Sequence, residues 1–269
     1  MVVRTLTAND LDAAHEAFLD AFSDYVVPLA PPRDRFLEML RRRGVVPEAS
    51  VAIFDEGRMV AFTLNGIEGH CAYDSGTGVV ISHRRRGLGR RVMEASIDVL
   101  QKRGCTSYVL EVLDSNTRAI ELYRSLGFSV TRGLQCFTLD SEDCLSSTET
   151  IASARPSWQN SDASIARATD EQVKLGDARG HLILFPETGD LAQLHGVVTT
   201  DLLTEARQTA RKPLRIVNID ENDTALISFL DRAGAVRTVR QLEMVANFVL
   251  SPGGEAAPHA EQHSGGGGR

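Results

Sequence analysis

The residues with the clearest chemical purpose are contiguous: Val79-Val80-Ile81-Ser82-His83-Arg84-Arg85-Arg86-Gly87-Leu88-Gly89, running on into Arg90 and Arg91. Arginine fills five of the eight positions of RRRGLGRR, residues 84–91. A tight turn containing glycine lets backbone N–H groups approach an anion closely, and a helix that starts there adds the positive end of its dipole. Arginines on the rim supply charge and paired donors. A pyrophosphate is the natural guest. On its own this stretch also reads as a basic, solvated helix start, because GxG after a strand is a weak signal. The chain as a whole carries a net charge of −7 and an isoelectric point near 5.5, which argues against bulk nucleic-acid binding. One dense basic spot on an acidic protein suits a small polyanion better than a polymer.

These residues need elements to hold them. With 42% hydrophobic and 24% charged residues over 269 positions, the composition excludes disorder for most of the length and provides enough chain to bury a core. No apolar run approaches the roughly 18 residues that span a bilayer, so no membrane partner is expected. The start lacks an apolar stretch and does not read as a signal peptide. Cys71, Cys105, Cys136 and Cys144 are scattered without CxxC spacing, which predicts no structural zinc, no disulfide framework and a reduced, cytoplasmic compartment.

Val2 to Leu6 reads as a strand, and Thr7 with Asp10 as a cap for a helix carrying Leu11, Ala14, Phe18, Ala21 and Phe22, although the capping box prefers Glu or Gln at the third position. Pro28, Pro31 and Pro32 end that helix, and residues 34–43 form another. Strands at 50–54 and 59–64 flank the turn Asp55-Glu56-Gly57-Arg58. A strand over 76–81 feeds the arginine–glycine loop and a helix over 89–102. A strand at 108–112, a helix at 117–126 closed by Gly127, and a strand at 135–139 follow. This mixture predicts an α/β (α+β) domain over residues 1–140.

Residues 141–165 are rich in Ser, Thr, Asp and Glu without periodicity and read as a linker. A second, smaller α/β unit spans 166–250, with strands at 181–185, 191–195, 214–218 and 241–250 and helices at 201–211 and 223–232. The tail 251–269, ending GGGGR, reads as disordered. The two halves look related: DSNTRAIELYRSLGFSVTRGLQCFTL from Asp114 and DENDTALISFLDRAGAVRTVRQLEM from Asp220 both open a helix at an Asn-containing turn, close it with Gly127 or Gly234, and end in a strand.

The order Arg84-x-x-Gly87-x-Gly89, then Leu110-Glu111-Val112-x-x-Ser115-Asn116-x-x-Ala119-x-x-Leu122-Tyr123-x-x-x-Gly127-Phe128, resembles the GNAT superfamily of N-acetyltransferases over roughly residues 1–140. The resemblance implies a mixed central sheet flanked by helices and acetyl-CoA as cofactor. It implies that Val79 and Val80 present backbone groups to the pantetheine and the thioester carbonyl. Arg84, Arg85, Arg86, Gly87, Leu88, Gly89 and Arg90 would cradle the pyrophosphate, with Asn116 contacting the cofactor from the next turn. Tyr123 sits at the family's general-acid position. Glu111, twelve residues before it, is similar to the proposed base of the ribosomal-protein N-terminal acetyltransferases.

The chemistry such residues serve is direct transfer of an acetyl group to a primary amine of a small molecule or peptide. The amine, ordinarily protonated with a pKa near 10.4, must first lose its proton to a carboxylate. Backbone donors stabilise the oxyanion, and a phenol protonates the departing thiolate. Asp24 and Tyr25, with Glu38 and Asp74, are candidates for the acceptor side. Asn116 equally suits a helix cap, and the cysteines read as small buried hydrophobes. The second half has only Val197-Val198-Thr199-Thr200 where the arginine–glycine loop falls, and Phe229 or Leu230 where the tyrosine falls. It is expected to be a degenerate GNAT-like repeat that completes the sheet, covers the acceptor cleft or forms a homodimer surface. The rival class is a catalytically silent acyl-CoA sensor or scaffold.

Overall fold

The computed structural model describes residues 1–27, 29–140, 148–152 and 155–248. The expected tail and the first part of the expected linker, including Cys144, lie outside the described residues.

Strand β1 (Val2–Thr5) leads through a 3-10 turn, Ala8–Asp10, into helix α1 (Leu11–Ala21). Asp10 serves where Glu is usual: it accepts from the Thr7 N–H and hydroxyl, both at 2.8 Å, and from both ends of the Arg4 guanidinium. The 3-10 turn is tighter than an α-turn, which suits the shorter acid. Helix α2 (Arg33–Arg42) starts behind Pro32. Strands β2 (Val51–Asp55) and β3 (Arg58–Glu68) form a hairpin whose two-residue loop, Glu56-Gly57, has both φ angles positive, the geometry that matches strand twist. Strand β4 (Cys71–Val79) begins five residues ahead of the expected start. A 3-10 turn, Ile81–His83, then gives way to α3 (Leu88–Lys102), β5 (Ser107–Leu113), α4 (Thr117–Ser125) and β6 (Ser129–Leu139).

The second half contributes β7 (Glu149–Ala152), a 3-10 turn at Trp158–Asn160, α5 (Asp162–Ala166), β8 (Val173–Gly176), β9 (Gly180–Phe185), β10 (Asp190–Thr199), α6 (Thr200–Thr209), β11 (Leu214–Asp220), α7 (Thr224–Arg232) and β12 (Val236–Asn247). The stretch read as linker thus carries a strand, a turn and a short helix in its described part.

All of this forms one mixed 12-stranded sheet in the order β1-β2-β3-β4-β5-β12-β6-β11-β10-β9-β8, with β7 pairing β10 off that path. The closing strands of the two halves are exchanged. The last strand of the second half, β12, lies against β5, from Gln241↔Leu113 to Asn247↔Ser107. The last strand of the first half, β6, lies against β11. The two exchanged strands pair antiparallel at the centre of the sheet. Packing follows the exchange: Met244 and Ala246 of β12 are buried with Tyr108, Leu110 and Tyr123, whereas Phe137 and Leu139 of β6 are buried with Leu214, Leu226 and Phe229.

Each half also contains a parallel pair that diverges. Strands β4 and β5 pair only from Cys71↔Ser107 to Asp74↔Leu110; Ser75 then bulges out of the β3–β4 register, and β4 runs on alone on that edge. The result is a wedge open between Gly76–Val79 and Glu111–Leu113. In the second half β10 and β11 pair at Asp190↔Arg215, with an irregularity at Ala192. There the vacated edge is taken. Gly196 pairs with Gly180 of β9 and with Ala152 of β7, so β7 lies on the edge of β10 that faces β11, and α7 packs on it.

Candidate active site

The anion loop is anchored by acids and leaves its amides free. The Ile81 N–H donates to Asp20 at 2.9 Å, and His83 Nε2 faces Asp55 at 3.3 Å. Arg84 is committed inward. Its guanidinium grips Asp24 at 2.6 and 2.8 Å and donates to the Ala21 carbonyl at 2.8 Å. Beyond this anchor Arg85 and Gly87 take positive φ, 67° and 76°. Gly87 is the N-cap of α3 and no side chain caps that end; the first backbone bond there runs from Arg91 N–H to Gly87. The N–H groups of Leu88, Gly89 and Arg90 therefore precede the helical ladder, with exposed Arg85 and Arg86 beside them. Arg90 turns away, bonding Ser125 at 2.5 Å and tying α3 to α4. Of the arginines expected to hold an anion, Arg85 and Arg86 are free to do so, and Arg84 works by positioning the loop.

The wedge begins where the loop ends. The Val80 N–H donates to the Val60 carbonyl on β3, so Val80 faces away from the wedge. Successive strand residues alternate edges, and Val79 with Thr77 therefore turns its backbone groups toward the opening. Arg84 Nε reaches the Val79 carbonyl at 3.3 Å, leaving the Val79 N–H as the group presented there.

Tyr123 projects from α4 into the core on the α3–α4 face of the sheet, with Phe128 5.8 Å away between ring centres. Burial, reinforced by the charge of Asp74, pushes its phenol well above the usual tyrosine range, so it keeps its proton, while the Thr77 hydroxyl beside it works weakly the other way. Asp74 accepts from the Gly76 N–H at 2.9 Å and the Thr77 hydroxyl at 2.7 Å, and burial pushes its carboxyl up to about 6. Asn116 caps α4 by accepting from Ala119 N–H at 3.3 Å, and its side chain also meets the Tyr25 hydroxyl. Tyr25 therefore stands on the Asn116 and Tyr123 side of the wedge, and Asp24 is bound up with Arg84. Both members of the pair expected on the acceptor side are thus engaged within the fold, Asp24 by Arg84 and Tyr25 by Asn116.

Glu111 lies between Leu110 and Val112, whose side chains join the Tyr123 core, so it faces the opposite side of the sheet. Its Oε2 accepts three hydrogen bonds: from Gln159 Nε2 at 2.5 Å, Asn218 Nδ2 at 2.7 Å and the Tyr73 hydroxyl at 3.1 Å. Its Oε1 is buried without a partner. Burial raises the Glu111 pKa above the usual carboxylate range, and the donors and Arg43 oppose that rise. Arg43 holds the surroundings together, donating to Gln159 Oε1 at 2.6 Å and the Ser75 carbonyl at 2.8 Å. Trp158 stacks on Tyr73 with ring centres 5.1 Å apart and donates to the Arg43 carbonyl at 3.0 Å.

Arg43 and Gln159 also line a cleft of about 950 Å³ between α2 and the second half, with Arg35, Arg42, Asp190 and Val217 on its walls. Glu38 is part of that wall but is already engaged by Thr169 N–H at 2.9 Å, the Thr169 hydroxyl at 2.7 Å and Arg41. The base candidate and the acid candidate thus stand on opposite faces of the sheet at one wedge.

Sequence reasoning missed Tyr73, Gln159 and Asn218. Gln159 sits in the stretch read as linker. Asn218 stands between the apolar pair Ile216-Val217 and Ile219 and is buried, a weak signal that a strand residue does more than pack.

Comparison with known proteins fits this geometry. Residues 11–128 match the model of the acetyltransferase (GNAT) family. Over 73 residues, 27% of this chain, the sequence is 42% identical to the ribosomal protein bS18-alanine N-acetyltransferase of Escherichia coli (strain K12) and covers 49% of it. The chain spans about half the length of the curated relatives it matches. Across both halves it is similar in fold to a putative acetyltransferase from Pyrococcus horikoshii, with a TM-score of 0.67 at 14% identity, covering 93% of this chain and 90% of that one. A GCN5-related N-acetyltransferase from Sphaerobacter thermophilus gives a TM-score of 0.62 at 12% identity, covering 91% and 95%.

Proposed function

Because residues 11–128 belong to the acetyltransferase (GNAT) family, we propose that this protein is an acetyl-CoA-dependent N-acetyltransferase acting on a primary amine. The observation that carries the reading is one open wedge with a free, arginine-rimmed helix start at its mouth, a carboxylate on one face and a phenol on the other.

The residues fit the cofactor. The unpaired amides of Leu88, Gly89 and Arg90 with Arg85 and Arg86 suit a pyrophosphate, and the free edge of β4 from Gly76 to Val79 suits an extended pantetheine. Acetyl-CoA supplies the acetyl thioester. Glu111 takes the proton that an ammonium must lose before it is nucleophilic, and its raised pKa makes it a better base than an exposed glutamate. The Val79 N–H is placed to donate to the carbonyl oxygen as charge develops. Tyr123 gives its proton to the thiolate. Over the turnover the ammonium nitrogen loses two protons, the first to Glu111 before attack and the second as the tetrahedral adduct collapses, while the thiolate gains one from Tyr123; one proton therefore leaves to solvent and the Tyr123 phenolate is reprotonated before the next turnover.

The acceptor enters through the cleft between α2 and the second half. The E. coli relative acts on an alanine of a ribosomal protein, which makes alanine-initiated peptides the first acceptors to test. We read the second half as a degenerate GNAT-like unit without a site of its own: α6 starts directly at Thr199-Thr200, and β7 takes the edge that an acyl chain would need. We place the protein in a reduced, cytoplasmic setting on the scattered spacing of its cysteines in the sequence.

The test is calorimetric titration with acetyl-CoA, followed by thiol release with a panel of peptides and small amines. One acetyl-CoA per chain is expected, with turnover reduced about a hundredfold in Tyr123→Phe and in Glu111→Gln at unchanged acetyl-CoA affinity. Binding without turnover on any amine, or turnover indifferent to both substitutions, would overturn the reading.

A further inference from the structure

Two of the three donors to Glu111 come from the second half, and one of them is held in an unusual backbone state. Asn218 lies within β11, yet its φ is 62°, at the irregularity between Ile216 and Ile219 where the β11–β6 register shifts. A left-handed conformation is unfavourable for a residue with a side chain, and Asn tolerates it better than most. Every polar atom of its amide is engaged. Oδ1 accepts from Gln241 Nε2 at 2.8 Å, which orients Nδ2 toward Glu111 at 2.7 Å and Ser157 Oγ at 3.2 Å. Gln241 belongs to β12, the strand exchanged into the first half. On the other side Gln159 presents Nε2 to Glu111 while its Oε1 is fixed by Arg43. All three donors meet Oε2, and Oε1 is left buried and unpaired. A buried carboxylate oxygen without a partner is costly unless a guest takes it.

We infer that Asn218 and Gln159 are positioning residues for the transfer reaction, pinning one oxygen of Glu111 so that the other is held ready for the proton of the incoming amine. The second half is then part of the catalytic apparatus, although it carries no catalytic group. The strained residue and the exchanged strands have a common use: Asn218 reaches Glu111 from β11, and its amide is turned the right way by Gln241 of β12 at 2.8 Å, with the Cys136 thiol of β6 on the same oxygen at 3.7 Å. This inference rests on the reading of Glu111 as base.

The charged and titratable groups facing Glu111 are Tyr73 on β4, Arg43 behind α2, Cys136 on β6 and Glu243, which lies opposite Glu111 on β12 and is itself paired with Arg132 at 2.7 Å. Of these, Cys136 alone touches Asn218: its thiol donates to Oδ1 at 3.7 Å, a bond lost with the amide, while the Asn218 N–H still donates to its sulfur. Removing the Asn218 side-chain donor destabilises the ionised carboxylate alone and moves the Glu111 titration upward.

The experiment compares Asn218→Gly, which keeps the positive φ accessible and deletes the amide, with Gln159→Met and Glu111→Gln. Two readouts are taken: a ¹³C-glutamate NMR titration, with Glu111 assigned by Glu111→Gln, and the pH profile of acetylation of an alanine-initiated hexapeptide by acetyl-CoA. For Asn218→Gly the Glu111 titration and the acidic limb of kcat both rise by about one pH unit, kcat falls about tenfold, and the KM for acetyl-CoA stays within about twofold. Gln159→Met gives the same pattern and keeps the inference testable should Asn218→Gly fold poorly. An unmoved Glu111 titration in both variants overturns the inference, as does a loss confined to KM for acetyl-CoA. If Glu111→Gln is inactive while both variants behave as wild type, positioning falls and the base stands. If Glu111→Gln is fully active, both fall.

Discussion

Asp74 is a carboxyl group with almost no access to water, 7% exposed, held only by a hydroxyl and an amide. Burial is the largest influence on it and raises its pKa to about 6. The sign of the consequence follows from linkage: between the unfolded value near 4 and the folded value near 6 the native state binds more protons, so stability falls as pH rises through that window. Asp74→Asn removes the titration. Relative to wild type, the variant should therefore gain about 2 kcal/mol in unfolding free energy on going from about pH 4 to pH 7, whatever its offset at either end. Urea unfolding of both proteins across that range measures it, and parallel curves would refute it. The site tolerates this burden because the ionised Asp74 helps to keep the neighbouring Tyr123 phenol protonated. Residues of this kind were legible in the sequence only as types. Glu111 and Tyr123 could be named because their spacing follows a motif within one continuous strand–turn–helix. Gln159 and Asn218 could not, because their role exists only when segments 48 and 107 residues from Glu111 are brought to it.

At the scale of elements, the start of α3 divides its arginines by task. Arg84 holds the loop to the end of α1 through Asp24, whereas Arg85 and Arg86 are exposed and face solvent beside the free amides. Substituting each should separate these tasks. Arg86→Ala should weaken acetyl-CoA binding about tenfold at low salt, the worth of a charged hydrogen bond, and by less in high salt. Arg84→Ala should lower the thermal midpoint as well, since the carbonyls of Ala21 and Val79 lose their donor with it. Calorimetry at two salt concentrations together with thermal melts checks both; equal affinity losses with no melting difference would remove the distinction. This loop and the helices around it were readable because glycine, arginine clustering and helical periodicity are local signals. The ends of strands were less so. Strand β4 starts at Cys71 because its pairing with β3 and β5 continues past any alternation visible in the sequence. Strand β7 is four residues of Glu-Thr-Ile-Ala whose only reason to be a strand is the free edge of β10.

At the scale of the whole molecule, the exchange of β6 and β12 makes the halves interdependent in a way that the sequence of neither announces. Each half reads as complete along the chain, ending in its own strand, yet each sheet is closed by the other's. Residues 1–140 alone would lack the strand that covers β5, and the core around Tyr108 and Tyr123 would lose Met244, which is fully buried, and Ala246, 3% exposed. An uncovered edge flanked by exposed apolar core invites pairing with another chain. The surrogate nearest to hand is a second copy of β6, which already pairs antiparallel with β12 in the intact protein and resembles it in place and direction. A fragment of residues 1–140 should therefore be either a dimer or insoluble, with acetyl-CoA affinity recovered, if at all, only in the dimer. Light scattering coupled to size-exclusion chromatography decides the matter. A stable monomeric fragment with the affinity of the full chain would mean that β12 contributes little, and that the second half is an appendage after all.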